Sequence, residues 1–318
     1  MIYPIKTTPV FKQYIWGGNA LKEKFGKDIP DGFAAESWEI SCHPDGKSVI
    51  ANGSHIGRFL SEVISEHPAE MLGGERREMS LLVKLIDAND RLSVQVHPND
   101  DIAKSLEGGK GKTEMWYVVD AKPGAKLVYG LREGVGEEEF KAALSEGRVE
   151  EVLNYVPVSA GDSFFIPAGT VHAIGEGIII AEVQQNSNIT YRLYDYDRVD
   201  KDGNRRPLHT EKALASIDFS AGVGKNQKYP VARTIYGTVQ LLAKCEHFMV
   251  VKHNIKSLAR FTQGDDKYEI FTCVEGSGKI ICNNGDTYDF TAGDSYFIPA
   301  TMEKYMVEGE CVLIRSLE

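Results

Sequence analysis

Gly161-Asp-Ser-Phe-Phe-Ile-Pro-Ala-Gly-Thr-Val-His172 is the stretch that decides how this chain folds. Ser163 to Ile166 is a short apolar run of the kind that pairs in a sheet, and the Pro-Ala-Gly triplet after it is a turn. The turn delivers His172 just beyond the strand. The pattern returns downstream: Gly293-Asp-Ser-Tyr-Phe-Ile-Pro-Ala300 repeats Gly161 to Ala168 at seven of eight positions, at an offset of 132 residues. Thr113-Glu-Met-Trp116 has a weaker echo in Tyr268-Glu-Ile-Phe271, at an offset of 155. The two offsets differ by 23 residues, which implies two related β units, the first holding an insertion between these segments. Glu137 to Glu146 and Val149 to Leu153 fit that place. Phe140, Ala143 and Leu144, then Val149, Val152 and Leu153, follow helical spacing.

Working outward from His172, two further segments carry ligand-type side chains. Leu92-Ser-Val-Gln-Val-His-Pro98 alternates apolar and polar residues, the period of a half-buried strand. Ser93, Gln95 and His97 share one face, Leu92, Val94 and Val96 the other, and Pro98 ends the ladder because it has no N–H. Glu114 opens a second strand, Met115-Trp-Tyr-Val-Val119, rich in sheet-favouring residues. Gln95, His97, Glu114 and His172 together make a mixed nitrogen and oxygen ligand set. Such a set suits zinc, and also iron, manganese, nickel or cobalt. Without thiolates it keeps an open position, the mark of an enzyme site rather than a structural metal. A single histidine beside an apolar run is ordinary, so His43, His55, His67, His209, His247 and His253 receive no role. Carried into the second unit, the offsets place Lys304 at His172, Lys252 at His97 and Val250 at Gln95. Lysine disfavours a cation, so the second unit is expected to lack metal ligands. Its expected role is structural, covering an edge of the first barrel or supporting a dimer.

Composition agrees with a soluble enzyme. The chain has 318 residues, enough for one large domain or two smaller ones with cores of their own. A formal net charge of −10, spread along the sequence, argues against a nucleic-acid or anionic-membrane surface. The five cysteines, Cys42, Cys245, Cys273, Cys282 and Cys311, form no Cys-x-x-Cys pair and imply reduced thiols in the cytoplasm. No signal peptide and no membrane-length apolar stretch is visible. Ile56 to Glu66 reads as a helix, and Thr210 to Ile217 as another with Thr210 as its N-cap. Val223 to Pro230 is the best linker, which divides the chain into residues 1–230 and 231–318. In the second unit, Asn283-Asn-Gly-Asp286 between Lys279–Cys282 and Thr287–Phe290 is a strong hairpin signal.

These motifs carry a resemblance. Gly161, five residues, Pro167, one residue, Gly169, two residues, His172 reproduces the second cupin signature. Gln95-Val-His97 with the later Glu114 resembles the first, with Gln in place of its first His. The resemblance implies a mainly β chain of two cupin (jelly-roll β-barrel) units with a few helices, the second unit without metal ligands. Ile15-Trp-Gly-Gly18, Glu36-Ser-Trp-Glu-Ile-Ser41, Leu92 to Pro98, Gly111-Lys-Thr-Glu-Met-Trp116, Gly161 to Ala173 and Gln184 to Arg192 resemble, in order, the type I mannose-6-phosphate isomerases of the short bacterial form. That family implies one zinc ion per chain on Gln95, His97, Glu114 and His172. It implies an aldose–ketose isomerase that interconverts mannose 6-phosphate and fructose 6-phosphate through an enediol(ate). Its active-site arginine falls on Arg192, and its lysines on Lys112, just before the ligand Glu, and on Lys84. Its metal-strand serine falls on Ser93. Lys112 and Arg192 are the catalytic candidates; Ser93, Lys84, Lys112 and Arg192 are the substrate-binding ones. One family pattern has an acid four positions before the arginine, where this chain has Asn188. For the proton-transferring base, Lys112, a metal hydroxide, Glu39 and Glu182 stay open. Lys84, in an apolar strand, needs either a phosphate contact or an ion pair. Two other readings of the same motifs are a metal-dependent cupin oxygenase and a non-catalytic sugar-phosphate-binding cupin. The expected partner is a small sugar phosphate, with no nucleic acid and no membrane, and the chain is expected to be a monomer or homodimer.

Overall fold

The computed structural model describes residues 3–200, 202–220, 228–263 and 267–318. Two β-barrels pack against each other through a shared core. The first is built from a six-stranded sheet and a five-stranded sheet. In the six-stranded sheet the Glu114–Ala121 strand lies between Ser163–Ile166 and Ile178–Gln185, and Leu81–Ala88 follows outside Ile178–Gln185. In the five-stranded sheet Val94–Val96 lies between Tyr191–Tyr194 and His172–Ile174. These two sheets face each other, so the ligand-bearing strands come from opposite walls of one barrel.

The central strands are apolar on both faces because both faces are covered. Met115, Tyr117, Ala181 and Val183 point outward into a core shared with Val250, Ile270 and Phe297 of the second barrel. Trp116, Val118, Ile178 and Ile180 point inward. A single alternating strand thus serves the first barrel's interior with one face and the joint between barrels with the other. Each fully buried aliphatic side chain contributes roughly 1.5–3 kcal/mol, so the joint is part of the core. The second barrel therefore packs on a face of the six-stranded sheet, where the sequence pointed to an edge of the first barrel or to a dimer contact.

The repeat is a structural one. Glu114 pairs with Ile166 in the first barrel, and Glu269 pairs with Ile298 in the second. Both sequence offsets meet in that one register, followed by Met115 with Phe165 and Ile270 with Phe297. Lys304 opens the strand that answers to His172: it pairs with Thr262 as His172 pairs with Gln95. The offset does not carry as far as Lys252. Val251 sits opposite Arg315 as Lys84 sits opposite Glu182, so the Met249–Ile255 strand answers to Leu81–Ala88 and not to the strand before His97. The stretch between Gln95 and Glu114, which holds the Asp100–Glu107 helix, is longer than that between Thr262 and Glu269, and this breaks the constant offset.

The insertion is the Glu137–Ser145 helix and a 3-10 turn at Val149–Val152, with Phe140, Ala143, Val149 and Val152 buried. The first expected helix spans only Leu60–Glu66, because Gly57 takes a left-handed φ of +84° that interrupts it. The other spans Thr210–Ser216 with His209 at the N-cap, so Thr210 is the first helical residue. The hairpin forms as read, with Gly285 at φ +89°. Of the linker, residues 223–227 lie outside the described residues. The sheet of the second barrel reaches back across the 230/231 division, since Ile5–Thr8 pairs with Ser295–Ile298. No helix among the described residues is long and apolar enough to cross a membrane.

Candidate active site

His97, Glu114 and His172 converge inside the first barrel. Their ligand atoms all lie within 4.8 Å of one another and all three side chains are buried. His97 Nε2 is 3.4 Å from Glu114 Oε2, and His172 Nε2 is 3.4 Å from Glu114 Oε1. The barrel geometry produces this directly. His97 follows the Val94–Val96 strand, whose Val94 and Val96 are fully buried on the opposite face, and Glu114 heads a strand on the facing sheet. Gln95 is the cross-strand partner of His172, and its amide nitrogen sits 3.3 Å from His172 Nε2. An amide carries an oxygen and a nitrogen at the same reach, so rotation presents the ligating oxygen to the same point.

Both imidazoles are oriented from behind. His97 Nδ1 is 2.9 Å from the Ile189 carbonyl and His172 Nδ1 is 2.8 Å from the Thr170 carbonyl. A carbonyl only accepts, so the proton sits on Nδ1 and the lone pair of each Nε2 faces the shared point. Burial drives both histidines below their ordinary value, His172 to about 4, so both stay neutral. Burial also pushes the Glu114 carboxyl above the carboxylate range, although Lys112 pulls it back. Neither Glu114 oxygen receives a well-directed hydrogen bond, and the nearest cation is Lys112 Nζ, 3.0 Å from Oε2. The same Nζ is 3.1 Å from His97 Nε2. The ammonium thus stands where a cation would sit among the ligand atoms. Two neutral imidazoles, an under-bonded buried carboxylate and an amide, all aimed at one point, fit a divalent metal.

Beside this point opens a cavity of about 260 Å³ lined by Lys84, Ser93, Gln95, Lys112, Trp116, Glu182 and Arg192, among others. All the sequence-derived candidates other than Glu39 and the buried triad His97, Glu114 and His172 therefore line one space. Lys84 is 2% exposed and lies 3.2 Å from Glu182 and 3.5 Å from Glu36. Burial opposes its charge, but those two carboxylates outweigh it and hold the ammonium above its ordinary value. Lys84 thus has the ion pair that a buried lysine needs. Glu182 also accepts from Trp116 Nε1 at 2.8 Å. Burial favours its neutral form, yet Lys84 and Lys112 keep the carboxyl below the ordinary range. Arg192, the cross-strand partner of Gln95, donates from Nε to Ser93 Oγ at 3.2 Å. Burial, then the neighbouring Arg206 charge, lowers its guanidinium from the usual value.

Glu39 leaves the list of candidate bases. Its carboxylate is bound by Lys27 at 2.7 Å and Ser37 at 2.6 Å, and Lys27 also reaches the Gly293 carbonyl of the second barrel. It sits at the joint between barrels, away from the cavity. Asn188 lines the cavity and donates to Asp45 at 3.0 Å. Sequence reasoning missed Glu36, Tyr14 and Arg206, which also line the cavity. Glu36 was readable as an alternation partner of Trp38, but Arg206 follows an irregular polar stretch with no periodicity to mark it.

Fold and site define a class: a two-barrel cupin protein with a metal-ready site opening into a charged cavity. A family model described as the phosphomannose isomerase type I catalytic domain matches residues 5–129, and a mannose-6-phosphate isomerase cupin-domain model matches residues 238–318. The chain is 38% identical over 317 residues to the probable mannose-6-phosphate isomerase GmuF of Bacillus subtilis, covering 99% of each. It is 37% identical over 317 residues to the mannose-6-phosphate isomerase of Streptococcus mutans, covering 99% of this chain and 98% of that one. The crystal structure of the mannose 6-phosphate isomerase from Bacillus subtilis superposes with a TM-score of 0.92 at 37% identity, over 98% of this chain and 99% of that one. The putative mannosephosphate isomerase from Archaeoglobus fulgidus gives a TM-score of 0.75 at 25% identity, over 100% and 99%. The chain belongs to the type I phosphomannose isomerase family, and it is an enzyme of that family.

Proposed function

We propose that this chain interconverts mannose 6-phosphate and fructose 6-phosphate, with one zinc ion held by Gln95, His97, Glu114 and His172. The observation that supports it most strongly is the convergence of three buried ligand residues, aimed at one point, on a cavity lined by Lys112, Arg192, Ser93 and Glu182. A metal bound there supplies Lewis-acid stabilisation for the negative charge that develops on the substrate's O1 and O2.

The remaining work falls to the chain's own residues. Aldose–ketose isomerisation removes the proton from C2 and returns it to C1. We assign that transfer to Lys112. Buried between Glu114 and His97, at 3.0 Å and 3.1 Å from them, its Nζ faces the cavity within reach of a substrate carbon proton. Glu182 is the weaker base, because Lys84 and Trp116 hold it ionised and hydrogen-bonded. Arg192 stands beside the ligand strand and offers its guanidinium to the developing enediolate or to the phosphate, with Ser93 fixing its orientation. Trp116 and Leu92 form the apolar wall that keeps water from the intermediate. The chemistry is confined to residues 1–230, and residues 231–318 form the supporting barrel.

The test is a coupled assay of fructose 6-phosphate formation on one purified sample whose metal content is measured alongside. Turnover with stoichiometric zinc is expected. Stoichiometric iron with oxygen uptake points instead to an oxygenase. Zinc-replete protein that binds the sugar phosphate without turning it over is a sensor.

A further inference from the structure

One charged cluster on the cavity wall is not used by the chemistry above. The chain leaves the Tyr191–Tyr194 strand through Asp195 and turns at Tyr196 and Asp197, whose φ values are +56° and +55°. Left-handed backbone at a bulky residue persists only where the surroundings impose it. Here the Tyr196 ring is pinned by Arg91, whose guanidinium carbon lies 3.5 Å from the ring centre. The chain then makes a small excursion, closed by a bridge between Val199 and Arg205, and returns Arg206 to the cavity.

Arg206 arrives already held. Asp195 is buried, and one of its oxygens accepts from Arg206 Nε at 2.8 Å while the other accepts from Arg206 Nη2. Arg198 shares that carboxylate and also reaches Asp90 at 3.2 Å, on its outer side. Arg192 donates only to neutral oxygens, Ser93 Oγ and the Pro207 carbonyl at 2.8 Å. Among the described residues Arg192 has no ion-pair partner, although Arg206 is near enough to depress its ionisation. Two guanidinium groups thus line one cavity with a carboxylate for only one of them. Of the two lysines on the wall, Lys84 is already neutralised by Glu36 and Glu182, and Lys112 lies 3.0 Å from Glu114. Among the described residues, Nη1 of Arg206 and Nη2 of Arg192 have no hydrogen-bond partner.

We propose that Arg206, set by Asp195, forms with Arg192 the seat for the substrate's phosphate dianion. This rests on the isomerase reading for the identity of the substrate. Planar guanidinium forks match phosphate oxygens in geometry and charge. Asp195 is a positioning residue: it touches no substrate and acts through Arg206.

The test is calorimetric titration of the zinc-loaded chain with sorbitol 6-phosphate, a hexitol phosphate that has no carbonyl and cannot isomerise. Arg206→Gln is expected to weaken binding about tenfold or more, the loss of one charged hydrogen-bond donor, with metal content unchanged. Arg206→Lys is expected to recover part of the loss, since it keeps the charge without the fork. Asp195→Asn separates positioning from charge. It removes a negative charge, so a purely electrostatic wall binds the phosphate more tightly, whereas a positioned Arg206 binds it less tightly. A wild-type chain that does not bind sorbitol 6-phosphate, an Arg206→Gln variant that binds as tightly as wild type, or an Asp195→Asn variant that binds more tightly each overturns the proposal. Wild-type protein that binds the hexitol phosphate but does not turn over mannose 6-phosphate sinks the isomerase reading alone.

Discussion

The two barrels place a glutamate at the same point of the same strand pair and treat it in opposite ways. Glu114 and Glu269 are both buried and both sit opposite an isoleucine in the neighbouring strand. Around Glu114 the protein supplies two neutral imidazoles, an amide and a lysine. Around Glu269 it supplies its own permanent cation: Arg315 donates from Nε at 2.9 Å and from Nη2, and Tyr305 donates at 2.6 Å. Arg315 stands where the first barrel has Glu182, since each lies opposite the aromatic residue two positions after its glutamate. A buried carboxylate needs a positive partner. The second barrel carries that partner covalently and is closed. The first brings only Lys112 to Glu114, at 3.0 Å, and gathers His97, Glu114 and His172 into a group that could hold a metal ion.

The sharpest way to break this comparison is to remove Glu114. Glu114→Ala is expected to lose bound metal and to lower kcat/KM by about a thousandfold or more, the scale of several kcal/mol of Lewis-acid stabilisation; metal analysis and the coupled assay read both. His97→Ala is expected to behave in the same way, and full activity in either variant removes that residue from the ligand set. In the second barrel, Glu269→Ala is expected to leave metal stoichiometry alone and to cost about 3–5 kcal/mol of stability, because it strands a buried guanidinium. Urea denaturation measures this. Replacing Glu269 and Arg315 together by leucine recovers much of the loss if the pair is a structural plug. A fall in metal content there makes the barrels less independent than drawn.

Arg192→Ala is expected to keep the metal and lower kcat/KM about a hundredfold, the scale of one lost transition-state donor. Loss of metal in that variant places the guanidinium among the ligand supports instead. The smallest effect concerns acid stability. Burial raises the Asp195 carboxyl, but hydrogen bonds from Arg206 and Arg198 outweigh it and hold the group below its ordinary value. A depressed folded-state value contributes stability that is present above the unfolded value, about 3.9, and is lost as pH falls through the folded one. Asp195→Asn is therefore expected to flatten the fall in melting temperature below about pH 4 and to leave its shape near neutrality unchanged. An unaltered acid limb means other carboxylates govern it.

The converging side chains were legible because their placement follows from local rules. Gln95 and His97 lie two apart on an alternating strand, and His172 follows a turn with a fixed spacing. The repeat was legible because its two best-matched segments share one register. Lys252 shows where such reading fails: a constant offset assumes equal loops, and pairing depends on partners far away in sequence. Glu39 and Glu182 were equal candidates on the sequence, and only the strands' opposite faces separated them. Alternation alone does not say which face a strand turns to the site when both faces are buried.

By itself the sequence determined the two-unit β architecture, the metal-type side chains and the family. Period, turn chemistry and spacing are local quantities, and they survive without a partner strand. The tertiary structure alone decided that the barrels share a core, that Arg315 fills the second barrel's cation place, and that Arg206 returns to the cavity held by Asp195. Each of those is a contact between segments whose separation is set by long-range pairing and irregular backbone, and no periodicity in the chain records it.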